Sequence, residues 1–163
     1  MTRATENIDA GKPAAETRRF CTFVVAGRAF AVDASAVQEV FRGTVTTPVP
    51  RGPAAIRGLL NLRGRIVPAI DMRRRMGFEP IEGEGIHVVL TAGGETHSLI
   101  VDSLTDVVDI PVSAIETSTI GAEGEIGECI EGVVAARDGL VHLLGIEAIL
   151  AGLAESTVER KMR

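Results

Sequence analysis

Three histidines, His87, His97 and His142, are the first residues to test for acid–base or metal chemistry in this sequence. Each lies in or at the start of an apolar run, and none has a Cys or carboxylate at metal-ligand spacing. Neither HxxxH nor GxSxG occurs. They read as packed or edge residues of strands. Cys21 and Cys129 fit neither a CxxC pair nor a zinc knuckle, and apolar neighbours make them small core residues rather than a disulfide. Gly121, Gly124 and Gly127 have GxxG spacing, but a phosphate cradle needs a strand before it and a helix N-terminus behind. Glu123, Glu125 and Glu128 would repel a phosphate there, so residues 116–128 read as a mobile surface loop. Asp102 and Asp106 share one face of an extended strand at about 13 Å. That is too far apart for a carboxylate pair to act together. They read as solvated strand charges. No catalytic residue, metal site or cofactor is expected, and the chain is expected not to be an enzyme.

Two groups of arginines remain. Arg73-Arg74-Arg75 follows a strand and reads as a solvated turn, with contact to an acidic partner as the lesser alternative. Asn61-Leu62-Arg63-Gly64 ends one apolar run and turns into Ile66-Val67-Pro68. Gly64 supplies backbone freedom, and Asn61 can bond the turn backbone. Arg63 then projects from a rigid hairpin tip. It is either a binding anchor or a cover for a barrel end through its aliphatic stem.

The elements that must hold these residues are short. Apolar runs of four to seven residues alternate with Gly-containing turns, as in a barrel or sandwich. Phe20–Val25 turns at Gly27-Arg28 into Ala29–Val32, and Asp33 or Ser35 caps a short helix through Gln38-Glu39-Val40. The prolines at 48, 50 and 53 make residues 47–53 a rigid loop, and Pro68 demotes its strand to an edge or bulged one. A helical turn from Asp71 ends at Gly77. The second half repeats the plan. Ile86–Leu90 turns at Gly93-Gly94 into one long strand from Thr96 to Ile110. A hairpin from Ile130 to Leu144 and a helix from Ile146 to Leu150, ending near Gly152, complete it. Ala31-Val32-Asp33 and Ile100-Val101-Asp102 occupy equivalent places. This weak duplication implies an all-β fold of two similar small barrels, with strand pairing between the halves left open. Residues 1–19 and 153–163 are expected to be flexible tails around a domain at 20–152, with approximate halves 20–78 and 86–152.

With 163 residues the chain can bury a core without disulfides or metals. It has no Trp or Tyr, so Val, Ile, Leu and Ala must fill most of that core. A net charge of −5 and the lack of aromatics interleaved with the arginines oppose nucleic-acid binding. No apolar run resembles a signal peptide or a membrane span, so a cytoplasmic protein without direct membrane insertion is expected.

The segment Ile56 to Arg73, with its strand, NLRG turn, β-branched pair, Pro68 and Ile70-Asp71-Met72, resembles the CheW family of chemotaxis coupling proteins. The resemblance extends to Val37-Gln38-Glu39-Val40, Pro48-Val49-Pro50, Leu99–Asp102 and Asp106-Val107-Val108, and covers roughly residues 20–152. Ser98 departs from it, where a glycine is common. It implies two five-stranded SH3-like barrels side by side, with short helices. The implied role is a non-enzymatic adaptor that joins chemoreceptor cytoplasmic tips to the regulatory domain of the histidine kinase CheA. Such an adaptor would associate with membrane receptor arrays through its partners. The alternatives are a CheW-like scaffold of a twitching or developmental pathway, and a small ligand-binding barrel. The resemblance places the receptor in a groove between barrels, with Val37, Val40, Ile86 and Val101 as candidates. The kinase would meet the end of the first barrel. Glu39 and Arg63, with Asn61 and Gly64 shaping the turn, are expected to pair beside the partner-binding region.

Overall fold

The computed structural model describes residues 16–43, 45–117 and 124–161. Among these residues ten strands form two sheets. In chain order they are β1 (Thr17–Val25), β2 (Arg28–Asp33), β3 (Val37–Arg42), β4 (Ile56–Leu62), β5 (Arg65–Asp71), β6 (Ile86–Ala92), β7 (Glu95–Val101), β8 (Ser103–Pro111), β9 (Ile130–Ala136) and β10 (Gly139–Leu144). Among the described residues three α-helices join them: α1 (Met72–Arg75), α2 (Gly124–Cys129) and α3 (Ile146–Lys161). The first five-stranded sheet has the order β8-β1-β2-β10-β9, and the second β3-β6-β7-β5-β4. Each is a small SH3-like barrel.

Neither barrel is a half of the sequence. The chain makes β1 and β2 in the first barrel, leaves at Asp33, and adds β3 to the second. It returns at Asp102, where β7 of the second barrel passes into β8 of the first. The expected single strand from Thr96 to Ile110 is therefore two strands in different sheets. The duplication survives this exchange. Both sheets contain one parallel pair, β2 with β10 and β7 with β5. Both carry an extra residue in the exchanged strand, Gln38 in β3 and Thr105 in β8. Both are joined across the seam by an isolated bridge, Thr47 to Leu59 and Glu116 to Val133. A Cβ on Gly58 would lie 2.5 Å from the Thr47 carbonyl oxygen, and one on Gly132 would lie 3.0 Å from that of Glu116. The close approach explains a glycine inside β4.

The barrels share one core. Phe23, Phe30 and Val32 pack with Ile70, Val88, Leu90, Leu99 and Val101, and with Cys129, Leu144 and Ile149 from the C-terminal part. The alternate residues of the same strands enter separate clusters, Phe20 and Ala31 in the first barrel and Ile100 in the second. Burial on both faces is why these strands read as continuous apolar runs.

Several expectations are corrected. Val37–Val40 is strand, not helix; the helical part is a 3-10 turn over Ala34–Ala36, capped by Asp33, whose carboxylate accepts from the Ser35 N–H. β5 is interior to its sheet, but its parallel pairing to β7 begins only at Ala69, so Pro68 costs no ladder bond on that side. Residues 124–129 form α2 instead of loop, while Gly121 and Glu123 lie outside the described residues. β1 starts at Thr17, within the expected tail, and residues 1–15 lie outside the described residues. The last helix continues past Gly152 to Lys161.

Candidate functional site

The turn between β4 and β5 holds Arg63 and Gly64 at positive φ, +53° and +85°. This two-residue geometry suits the twist of a tight hairpin. Asn61 Oδ1 accepts the Gly64 N–H at 2.8 Å, which fixes the turn. Arg63 donates through both terminal nitrogens to Glu39, at 2.5 and 2.9 Å. The fork is bidentate and directional. Glu39 lies on β3 and Arg63 on the β4–β5 hairpin, and these are the two edges of the second sheet. The pair therefore latches that barrel across its seam. The arginine stays 73% exposed while the carboxylate is 24% exposed, so Arg63 presents its outer face to solvent beside the exposed Ile66.

The other candidates separate. Val40 on β3 is 37% exposed, and Ile86 is half-buried beside it. With Leu104 of β8, 42% exposed, they line a cleft of about 380 Å³ between the two barrels. Val37 is half-buried against the shared core. Val101 is fully buried, and its place in the groove is corrected. It pairs with Ile86 on a central strand and packs where the barrels meet. Leu104 was not foreseen. Its signal was positional: it follows the Val101-Asp102 crossover and sits just before the extra residue, as Val37 does in β3.

The floor of this region is polar and ordered. Asp102 accepts from Arg73 Nε at 2.9 and 3.1 Å, from Arg73 Nη2 at 2.7 Å, and from the Ala26 N–H at 2.8 Å. Asp71 caps α1 by accepting from the Arg73 and Arg74 N–H groups, and it also accepts from Arg57 and the Ile81 N–H. Arg74 donates to the Ala54 carbonyl. Arg75 is buried and donates to the carbonyls of Ile149 and Ala148 in α3. A Cβ at Gly152 would overlap its guanidinium. The triple arginine is thus tied into the fold, contrary to a solvated turn, and Asp102 is not a solvated strand charge.

The titratable core groups are packed. His87 is fully buried, stacks on Phe41 with ring centroids 5.0 Å apart, and shares a 2.8 Å hydrogen bond with Ser98 Oγ. Burial, with help from the nearby Arg57 charge, lowers its pKa to about 4. Burial also raises the free Cys129 thiol to about 11 and pushes the free Cys21 thiol up. Thiols so protonated are poor nucleophiles. Among the described residues no group of three or more His, Cys, Asp or Glu is placed to hold a metal ion. No described helix is long and apolar enough to cross a membrane.

Residues 19–154 match the model of the CheW-like domain. The chain belongs to the CheW-like family. It is 27% identical over 151 residues to the chemotaxis protein CheW of Rhizobium meliloti, covering 91% of this chain and 94% of that one. It is 27% identical to the chemotaxis protein CheW of Bacillus subtilis, over 81% of this chain and 86% of the other. Protein FrzA of Myxococcus xanthus is 28% identical over 89% and 92% of the two chains. The crystal structure of the scaffolding protein TtCheW from Thermoanaerobacter tengcongensis superposes with a TM-score of 0.72 at 25% identity, covering 80% of this chain and 90% of that chain. The CheW-like fold and its role as a chemotaxis signalling adaptor therefore apply to this chain.

Proposed function

We propose that this CheW-like protein joins the cytoplasmic tip of a chemoreceptor to the regulatory domain of the kinase CheA, without catalysis of its own and within the cytoplasm. The observation that carries the reading is the cleft lined by Val40, Ile86 and Leu104, where an edge strand of each barrel exposes an apolar side chain, Val40 on β3 and Leu104 on β8. A helical receptor tip can seat an apolar stripe there. Arg63, held by Glu39 on the other face of the strand that carries Val40, is read as a second contact for a partner, outside the cleft itself. For the kinase, support comes from a second cleft of about 780 Å³ on the first barrel. It lies between β8 and the β9–β10 hairpin, with Leu140 exposed at its rim.

The test is binding of a soluble receptor-tip hairpin and of the isolated CheA regulatory domain to Leu104→Ser and Leu140→Ser. The expected result is selective loss: Leu104→Ser loses the tip, and Leu140→Ser loses the kinase domain. Wild-type tip binding by Leu104→Ser would refute the groove assignment.

A further inference from the structure

The two crossovers between barrels are equivalent in the duplication but are built differently. At the first, Asp33 leads into a 3-10 turn; its carboxylate caps that turn and accepts from Arg18 at 3.2 Å, an exposed pair within the β1–β2 hairpin itself. At the second, a single residue, Asp102, separates β7 from β8. Its carboxylate ties together three distant segments: its own crossover, α1 through Arg73, and the β1–β2 turn through the Ala26 N–H. Ala26 is held there at φ +52°, before Gly27 at +77°. A guanidinium fork on a carboxylate fixes direction as well as distance. The side chains are 31% and 20% exposed, so the pair is partly shielded from solvent.

What the tie holds is the start of β8. Residues 103–107 are exposed and pair on one side only, with β1. That ladder slips register between Thr22 and Phe23, opposite Leu104. The bulge bends β8 there, and beyond it Leu104 and Ser103 pair with Phe23 and Val24 while the Asp102 N–H donates to the Val24 carbonyl at 3.0 Å, so what is left for the clasp to fix is the direction of the bent end. Asp102 itself lines the cleft between Ile86 and Leu104.

We propose that Arg73 and Asp102 are positioning residues: their clasp sets the distance from β8 to β3, and so the width of the cleft that receives the receptor tip. This rests on the groove reading above. Neither side chain needs to touch the tip. Arg73 acts through Asp102, and Asp102 acts through Leu104.

The experiment compares full-length Arg73→Ala, Asp102→Ala, the double variant, Arg73→Lys and Leu104→Ser, each well below its melting temperature. Three quantities are read: affinity for the receptor-tip hairpin, affinity for the CheA regulatory domain, and hydrogen exchange at the Ala26 amide. Arg73→Ala should weaken tip binding about tenfold and Asp102→Ala, which also frees the Ala26 N–H, at least as much; the double variant should bind no more weakly than Asp102→Ala, because that change has already removed the Arg73 contact. Arg73→Lys, which keeps the charge but not the fork, should fall between. Kinase-domain affinity should stay within about twofold, and Asp102→Ala should expose the Ala26 amide to exchange. If Asp102→Ala does not fold, Arg73→Ala carries the test, since it leaves the Ala26 acceptor in place. Loss of tip binding in Leu104→Ser with none in Arg73→Ala overturns the clasp and leaves the groove reading standing. Equal loss of both partners in Arg73→Ala also overturns it, because general loosening would then be the cause. Unchanged tip binding in Leu104→Ser removes the groove reading and the clasp with it.

Discussion

Asp71→Asn should destabilise the protein far more than an isosteric change usually does. The Asp71 side chain is 2% exposed, and both of its oxygens are occupied. Oδ1 accepts from the Arg73 and Arg74 N–H groups at 3.0 and 3.2 Å. Oδ2 accepts from Arg57 Nη2 at 3.0 Å and from the Ile81 N–H at 3.1 Å. An amide can keep only one of these sites as an acceptor. Turned one way, its NH2 faces the two donors that start α1. Turned the other way, it faces a guanidinium and a buried N–H. Either orientation loses two hydrogen bonds and leaves donors facing a donor. At about 1 kcal/mol for each neutral bond and 1.5–3 for a charged one, with a penalty for the orphaned donor, the cost is ~3 kcal/mol. A chain of this size loses about 2–4 °C of melting temperature per kcal/mol, so the expected drop is roughly 6–12 °C.

Thermal and urea denaturation check this, with Asp106→Asn as control. Asp106 is exposed, and its carboxylate accepts the N–H of its own neighbour Val107. That variant should stay within about 0.5 kcal/mol of wild type. The urea slope should be unchanged in both, since the surface exposed on unfolding is the same. Melting of Asp71→Asn within about 2 °C of wild type would refute the reasoning, because the four contacts would then carry no net stability.

The Arg63–Glu39 latch should matter for binding more than for stability: Arg63→Ala weakens receptor or kinase coupling with little unfolding, Glu39→Ala does so less, and the double variant is non-additive in a binding cycle. His87 titrates near 4 when folded and near 6.5 when unfolded, so its contribution is complete above about pH 6.5 and declines as pH falls towards 4, by up to ~3 kcal/mol. Burial lowers His97 and His142 in the same sense, so urea unfolding across this window should show a slope that His87→Phe reduces without abolishing. Gly58→Ala should destabilise more than Gly132→Ala, since a Cβ meets a carbonyl oxygen at 2.5 Å in the first case and 3.0 Å in the second; equal melting temperatures would count against the tight crossing at Thr47.

The duplicated pattern of strands was legible in the sequence because each strand carries its own alternation and its own turn residues. The exchange was not. Alternation says which residues share a face, but it says nothing about which distant strand lies alongside. The Val-Asp pairs at 32–33 and 101–102 marked the crossovers without revealing what they were. Residues 36–40 misled because Ala36, Val37 and Val40 fit one helical turn as well as Val37, Glu39 and Phe41 fit a strand, and a short segment cannot separate the two periods. The strand won through pairing with β6, which sequence does not display. The arginine run misled for a similar reason. Its partners Ala54, Asp102 and Ile149 lie 20 to 74 residues away, and a charge cluster shows no such contact locally. Arg63 was legible because everything that shapes its turn lies within four residues. Its partner Glu39 came from the family resemblance rather than from local pattern.

The groove follows from the exchange itself. A strand that leaves one hairpin to join another sheet can add only at the outside, so β3 and β8 are each the edge of the sheet they join. An edge strand is covered less than a central one, and it carries apolar side chains to the surface wherever no neighbour follows. Val40 and Val107 sit at matched register positions two residues past the extra residue of each strand, and both are exposed. Because each crossover is short, the two edges must also begin close to the boundary between the barrels. The second crossover is the shorter, and it brings Leu104 to the cleft that Ile86 and Val40 also line. A duplication without exchange would keep each barrel's strands in sequence and would not force edge strands from both barrels onto one seam. The surface proposed for the receptor is thus a product of topology, and local residues such as Asp102 and Arg73 set its dimensions.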